Sequence, residues 1–242
     1  MRILRGAVSE VAARWRPLLR ALIVPALLIT ALNFGTQYLM QWQHESNGSF
    51  EGLQALGWAQ FVVWFLLYAL FAMSCHRIIL LGEESLPNRF GIYWTMRETR
   101  FLGWVVLVAM IYMLLSAPFQ IAATYLRLYI TPDSFYWHFN AYIPVLLATY
   151  VDGRISMVLP ATAVGERSSI VESWRMTRGN GLHIAGALLI AAIATDLVSI
   201  GINQVLKDLP QTGRLVSFMV NFPLVAVAVG IISVSYRELS KE

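Results

Sequence analysis

The feature that most limits the fold of this chain is a series of long apolar stretches. A spanning α-helix needs about 20 mostly apolar residues. About six stretches of this kind occur, at roughly 18–40, 55–81, 101–128, 139–160, 182–206 and 215–236. Because lipid offers no partners to backbone groups, each stretch is predicted to be helical. We therefore predict an all-α polytopic membrane protein with about six transmembrane helices, forming a single membrane domain over residues 1–242.

Composition excludes several other classes of protein. Of the 242 residues, 57% are hydrophobic and only 13% are charged, too few charges to cover a soluble surface. Cys75 is the single cysteine, so the sequence predicts neither a disulfide framework nor a multi-cysteine metal site. The net charge of +4 comes from basic residues beside the apolar stretches, where membrane orientation explains them better than nucleic acid does.

Two short segments outside the spans have the pattern of amphipathic helices that lie in the membrane plane. Residues 1–16 place apolar side chains three and four positions apart, with arginines mostly on the other face. A capping box, Ser169 with Glu172, precedes the second, from Ile170 to Arg178, and Gly179 would end it. The connector after the second span contains similar parts, so the chain is interpreted as a weak internal repeat.

Basic residues are distributed very unevenly between the two sides of the predicted bundle. Fifteen of the 18 arginines and lysines lie at the amino end, in the connectors after the second and fourth spans, or in the tail. The other side has Arg127, Lys207 and Arg214. By the positive-inside rule, both termini are expected in the cytoplasm, which agrees with an even number of spans in a cell inner membrane.

Two segments of the sequence carry a family resemblance. They are RISMVLPATAVGERSSIVESWRMTRGNGL, from Arg154 to Leu182, and HRIILLGEE, from His76 to Glu84. Both resemble the YciC-like multi-helix inner-membrane proteins of proteobacteria, an uncharacterised family. A more distant similarity is to the membrane domain attached to some glycerophosphoryl diester phosphodiesterases. The resemblance implies a six-helix bundle and carries over no phosphodiesterase residues, since the soluble catalytic domain is absent from this chain.

Polar residues inside the spans are the first candidates for a binding site. Asp196 lies near the middle of the fifth span, where a carboxylate is costly unless it is paired, protonated or facing a cavity. Ser199 and Asn203 share its helix face. Similar polar stripes include Asn33 in the first span and Gln120 in the third. They are expected to converge in the outer half of the bundle, either as a hydrogen-bonded network that glues the helices together or as a pocket open to the outside.

Charged residues near the inner ends of the spans form the second candidate set. Asp152 and Arg154 are two residues apart and point in different directions, so Arg77 is the expected partner of Asp152. Arg77 and Arg154 could instead reach anionic head groups, as is expected of Arg175 and Arg178. No histidine pair has metal-ligand spacing with a carboxylate, so no metal or other cofactor is predicted.

No catalytic motif accompanies these residues, so the chain is not predicted to be an enzyme. The first hypothesis is a noncatalytic membrane protein that organises or helps to assemble membrane components, with lipids and other membrane proteins as partners. The alternative is a transporter or channel for small solutes or ions, with an outward-facing polar pocket near Asp196.

Overall fold

The computed structural model describes residues 2–45, 50–86, 93–127, 146–207 and 210–241. Every regular element in these ranges is helical. The helices are α1 (Arg2–Ala13), α2 (Trp15–Glu45), α3 (Phe50–Leu81), α4 (Met96–Arg127), α5 (146–155), α6 (Val158–Val164), α7 (Ile170–Met176), α8 (Gly181–Val205) and α9 (Pro210–Leu239). A 3-10 turn, Glu83–Ser85, follows α3. The predicted all-α class is confirmed for this part of the chain.

Four of the described helices are long and apolar enough to cross a membrane. Their qualifying segments are Trp15–Thr36 in α2, Gln54–Leu81 in α3, Met96–Ala122 in α4 and Gly181–Val205 in α8. Helix α9 has 30 residues and is therefore about 45 Å long at 1.5 Å per residue. Four apolar helices of spanning length are typical of a multi-pass membrane protein.

The helices extend beyond the predicted spans at several ends. Helix α2 continues to Glu45 and α3 begins at Phe50, whereas the sequence suggested that the first span ends near residue 40 and the second begins near 55. Hydropathy locates only the part of a helix that needs lipid. A helix can continue through polar residues at the interface because its backbone hydrogen bonds are already formed, so hydropathy does not locate its ends.

The predicted fourth span, 139–160, is not one continuous helix in its described part. Residues 139–145 lie outside the described ranges, and α5 is separated from α6 by a turn at Ser156 and Met157. Pro160 causes this break because it has no N–H to donate to the carbonyl of Ser156. That carbonyl accepts instead from Leu159 N, three residues on, at 3.0 Å.

Buried residues gather at the end of the bundle where the arginines lie. One cluster joins α2, α3 and α9 through side chains that include Leu22, Phe71 and Val229. Another joins α6, α8 and α9 through Ala161, Ile184 and Tyr236. Helix α9 takes part in both clusters, so it lies at the centre of this end and fixes the positions of its neighbours.

The amino-terminal segment forms the predicted helix, α1, over Arg2–Ala13. Its apolar face packs on α8 and α9, where Ala7 is fully buried beside Ala187 and Ile231. Close approach is possible because Gly230 has no side chain: a Cβ there would lie 3.2 Å from Val11. Helix α1 is thus packed on the bundle, and its position in the membrane plane stays a prediction.

Candidate functional site

The candidate site is the end of the bundle that carries the arginines of the two connectors, among them Arg77, Arg100, Arg154 and Arg167. We call it the basic end. Arg77 and Arg154 bind the protein itself. Arg77, near the end of α3, donates to the carbonyl of Ser85 and lies 5.7 Å from the ring centroid of Tyr93. Burial raises the pKa of the Tyr93 phenol, so the ring stays neutral beside the guanidinium. These contacts join Arg77 to Ser85, just after α3, and to Tyr93, just before α4.

The structure does not form the expected Arg77–Asp152 pair. Asp152 lies on α5 beside the hydroxyl of Ser156, at 3.3 Å, and Arg77 contacts Ser85 and Tyr93. Ser85 is only eight residues from Arg77 in the chain. Closing this short loop costs less entropy than closing the long loop between Arg77 and Asp152. The other interpretation was that Arg77 reaches lipid head groups. Arg77 is only 9% exposed, so little of it is accessible to a head group.

Arg154 holds α7 against α5. Its guanidinium lies 3.7 Å from the ring centroid of Trp174, and it donates to the Trp174 carbonyl at 2.6 Å and to Thr177 Oγ1 at 3.1 Å. Ser173 Oγ donates in return to the Arg154 carbonyl at 2.7 Å. The arginine stem passes over Gly181, where a Cβ would lie 2.9 Å from Arg154 Cδ. Arg154 is therefore a packing residue, and its side chain is only partly exposed.

The predicted helix after the capping box is confirmed over Ile170–Met176. Ser169 Oγ accepts a hydrogen bond from Glu172 N at 3.2 Å. Helix α7 contacts the bundle through Ser173, while the side chains of Arg175 and Arg178 are exposed. The salt bridges of the described residues do not include either arginine. Both are thus available to an external anion.

A second capping box begins α4, and the sequence interpretation missed it. Thr95 and Glu98 have the same spacing as Ser169 and Glu172. The Glu98 carboxylate accepts from Thr95 N at 2.7 Å and from the Thr95 hydroxyl, and Thr95 Oγ1 accepts from Arg97 N at 3.2 Å. The T-x-x-E spacing was the available signal. The two boxes begin different kinds of element, because α4 is a helix of spanning length and α7 is a short helix within a connector.

A groove at the basic end lies between α4 and the loop that follows α6. It has a volume of about 590 Å³ and is lined by Arg100, Gly103, Trp104, Leu107, Arg167 and Ser168. Two arginines therefore stand at one end of a mainly apolar surface. We call it the α4 groove.

A larger and more polar cavity, of about 700 Å³, lies among α1, α8 and α9. Its lining includes Arg2, His183, Arg237 and Lys241. Two of these basic residues have carboxylate partners: Arg237 with Glu10 at 2.6 Å, and Arg2 with Glu238 at 3.9 Å. This cavity is less suited to an anion than the α4 groove, because carboxylates already neutralise two of its basic side chains.

The polar span residues that were predicted to converge in the outer half of the bundle instead form separate contacts. Gln60 donates to Asn33 Oδ1 at 2.5 Å, which joins α3 to α2. Ser217 donates to Asn203 Oδ1 at 3.4 Å, which joins α9 to α8. Ser199 donates to the carbonyl of Thr195 at 2.9 Å, whereas the side chains of Asp196 and Gln120 are exposed on α8 and α4. Neither Asp196 nor Gln120 lines a described cavity.

Within the described ranges, no three histidine, cysteine, aspartate or glutamate side chains lie close enough together to hold a metal ion. The chain matches no family model, no curated protein and no solved structure.

Proposed function

We propose that this chain is a noncatalytic inner-membrane protein that binds anionic lipids at its basic end and organises or helps to assemble other membrane components. In this proposal it has six spans, with both termini in the cytoplasm. The four described spanning helices would be completed by α9 and by the α5 region. Membership of the YciC-like inner-membrane proteins is part of the proposal and rests on the two sequence segments that carry the resemblance.

One observation carries the lipid part of the proposal: the arginines at the basic end are of two kinds. Arg77 and Arg154 bind carbonyls and aromatic rings of the protein itself. Arg100, Arg167 and Arg175 are exposed, and the salt bridges of the described part do not involve them. Cations of this second kind at the end of a spanning bundle lie at the depth of lipid phosphates, where each basic residue near an anionic surface contributes about 1 kcal/mol to binding.

A transporter or channel is the second candidate function, and Asp196 is the observation that favours it. Its side chain is exposed on α8, a helix apolar enough to cross a membrane. A carboxylate in hydrocarbon is costly and is usually found where it faces water, a substrate or a partner helix.

The two functions can be separated with purified protein reconstituted in liposomes. Spin-labelled lipids distinguish immobilised lipids beside a protein from free lipids in the bilayer. We expect more immobilised anionic than zwitterionic lipid, with the difference disappearing near 1 M salt, where the screening length is only about 3 Å. Absence of any anionic preference would contradict the proposal. Ion or solute flux above that of empty liposomes, abolished by Asp196→Asn, would favour the transporter instead.

A further inference from the structure

The lining of the α4 groove follows one face of one helix. Arg100, Gly103, Trp104 and Leu107 are spaced at i, i+3, i+4 and i+7, so they form a stripe along α4. Arg100 lies in the first turns of this helix, and the stripe runs from it towards the apolar centre of the span. Arg167, from the loop after α6, stands on the opposite side of the groove.

The backbone explains why this loop reaches α4. Helix α6 ends at Gly165, whose φ of +92° reverses the chain at little cost because glycine has no Cβ. A Cβ at Gly165 would lie 3.4 Å from Arg97 Cζ, so the first turn of α4 packs directly on this turn. The two residues that follow Glu166 are thereby held beside Arg100.

The carboxylates nearest in sequence to the two groove arginines have other partners. Glu98 binds Thr95 at the start of α4. Glu166 accepts a hydrogen bond from the Tyr236 hydroxyl. The charged end of the groove therefore has two exposed arginines that are not neutralised by these carboxylates.

The apolar end of the groove is open and long enough for an acyl chain. A Cβ at Gly103 would meet no atom within 4 Å, so the helix surface is open directly beyond Arg100. The same side of α4 continues with Met110 and Leu114, which are 61% and 76% exposed. From Arg100 to Leu114 the helix rises about 21 Å, which exceeds the roughly 15 Å of one leaflet of a 30 Å hydrocarbon core.

We propose that the α4 groove is a defined binding site for one anionic phospholipid. Arg100 and Arg167 bind its phosphate, and one acyl chain lies over Gly103 along α4. The occupant is a lipid and not a free phosphate, because the charged end and the apolar end belong to one continuous surface. This inference rests on the proposed function and adds a site, a stoichiometry and the residues responsible.

Native mass spectrometry of the full chain in mild detergent tests the site. Phosphatidylglycerol and phosphatidylcholine with the same acyl chains are added separately, and the bound fraction of each is measured. We expect a first phosphatidylglycerol to bind more tightly than the next ones. Changing both Arg100→Gln and Arg167→Gln should weaken that first binding by roughly fivefold for each arginine removed. Gly103→Phe should weaken the binding of both lipids, because the ring would cover the open surface where the acyl chain lies.

Matched variants control for charge and for added bulk. Arg5→Gln with Lys207→Gln removes the same charge from exposed positions that do not line the groove, and it should leave the first binding unchanged within twofold. Gly201→Phe adds the same ring on α8, where a Cβ also meets no atom within 4 Å, and it should have no effect.

Three results would overturn the site. They are equal losses in the control and groove variants, a first lipid that binds no more tightly than the rest, and displacement of the lipid by millimolar glycerol 3-phosphate. The last would identify the ligand as a soluble phosphate. If spin-labelled lipids show an anionic preference while any of these results is obtained, the defined site fails and the proposed function stands.

Discussion

Arg154 shows how one side chain can connect separate parts of the bundle. It extends from α5, stacks on Trp174 of α7 and donates to Thr177 beyond the end of that helix. A planar guanidinium can stack and donate in several directions at once, which a lysine ammonium cannot do. The sequence placed Arg154 correctly at the basic end but left two interpretations open, and the structure favours a packing role.

We predict that Arg154→Lys and Arg154→Ala both loosen α7. Hydrogen bonds from a charged donor are worth about 1.5–3 kcal/mol each, and stacking on tryptophan adds about 0.5–2 kcal/mol. Lysine should restore only a minor part of this stabilisation. Hydrogen exchange of residues 170–177 in detergent-solubilised protein measures the effect, with α9 amides as the internal reference. Unchanged protection of 170–177 in Arg154→Ala would contradict the packing role.

Single residues also show what the sequence could not supply. The expected pair of Arg77 with Asp152 fails because hydropathy assigns depth along the bundle and not rotation about each helix. Two residues at the same depth can face different neighbours, and the 3-10 turn at Glu83–Ser85, which gives Arg77 its acceptor, has no sequence period. The contact of Gln60 with Asn33 needed the same missing information, namely which helices are adjacent.

At the scale of elements, the two connectors at the basic end are built alike. In each, an arginine from an earlier helix lies against an aromatic ring and donates to a backbone carbonyl. A capping box begins α4 in the first connector and the short helix α7, which follows α6, in the second. The residues are Arg77, Tyr93 and Ser85 in the first connector, and Arg154 and Trp174 in the second. The two connectors thus use similar contacts in a different order, and the repeat inferred from sequence stays a prediction.

The capping boxes should differ in strength because they differ in burial. Replacing an N-cap serine or threonine by alanine costs about 1 kcal/mol on average. Ser169 is exposed, so Ser169→Ala is expected near that value. Thr95→Ala should cost more, because Glu98 is 2% exposed and would lose the threonine hydroxyl as a partner inside the protein.

Unfolding of purified protein in mixed micelles with increasing SDS measures this difference. Thr95→Ser keeps the hydroxyl and should stay within about 0.5 kcal/mol of the wild type, the range of substitutions that leave a cap intact. Equal destabilisation by Thr95→Ala and Ser169→Ala would show that burial of Glu98 adds nothing.

Element boundaries mark the limit of what the sequence predicted. The span α8 was predicted as 182–206 and is Gly181–Val205, because glycine and a polar turn bracket it. The fourth span was predicted as one stretch over 139–160, although the missing N–H of Pro160 breaks it between α5 and α6. Hydropathy averages over a window and cannot register a single absent hydrogen bond.

At the scale of the whole molecule, packing and charge are concentrated at the same end. Clusters that join α2, α3, α6, α8 and α9 lie beside the arginines. A bundle packed firmly at its basic end can hold exposed guanidinium groups at fixed positions, which a defined lipid site requires. The orientation of that end in the membrane is therefore the central claim of the account.

Cysteine labelling in intact cells tests this orientation most directly. In a Cys75→Ala background, Ser240→Cys reports the carboxyl end and Ser46→Cys reports the connector between α2 and α3. The account predicts that a membrane-impermeant maleimide labels position 46 in cells with an opened outer membrane. Position 240 should be labelled only after the inner membrane is permeabilised. Labelling of position 240 without permeabilisation, or of position 46 only after it, would contradict a cytoplasmic basic end.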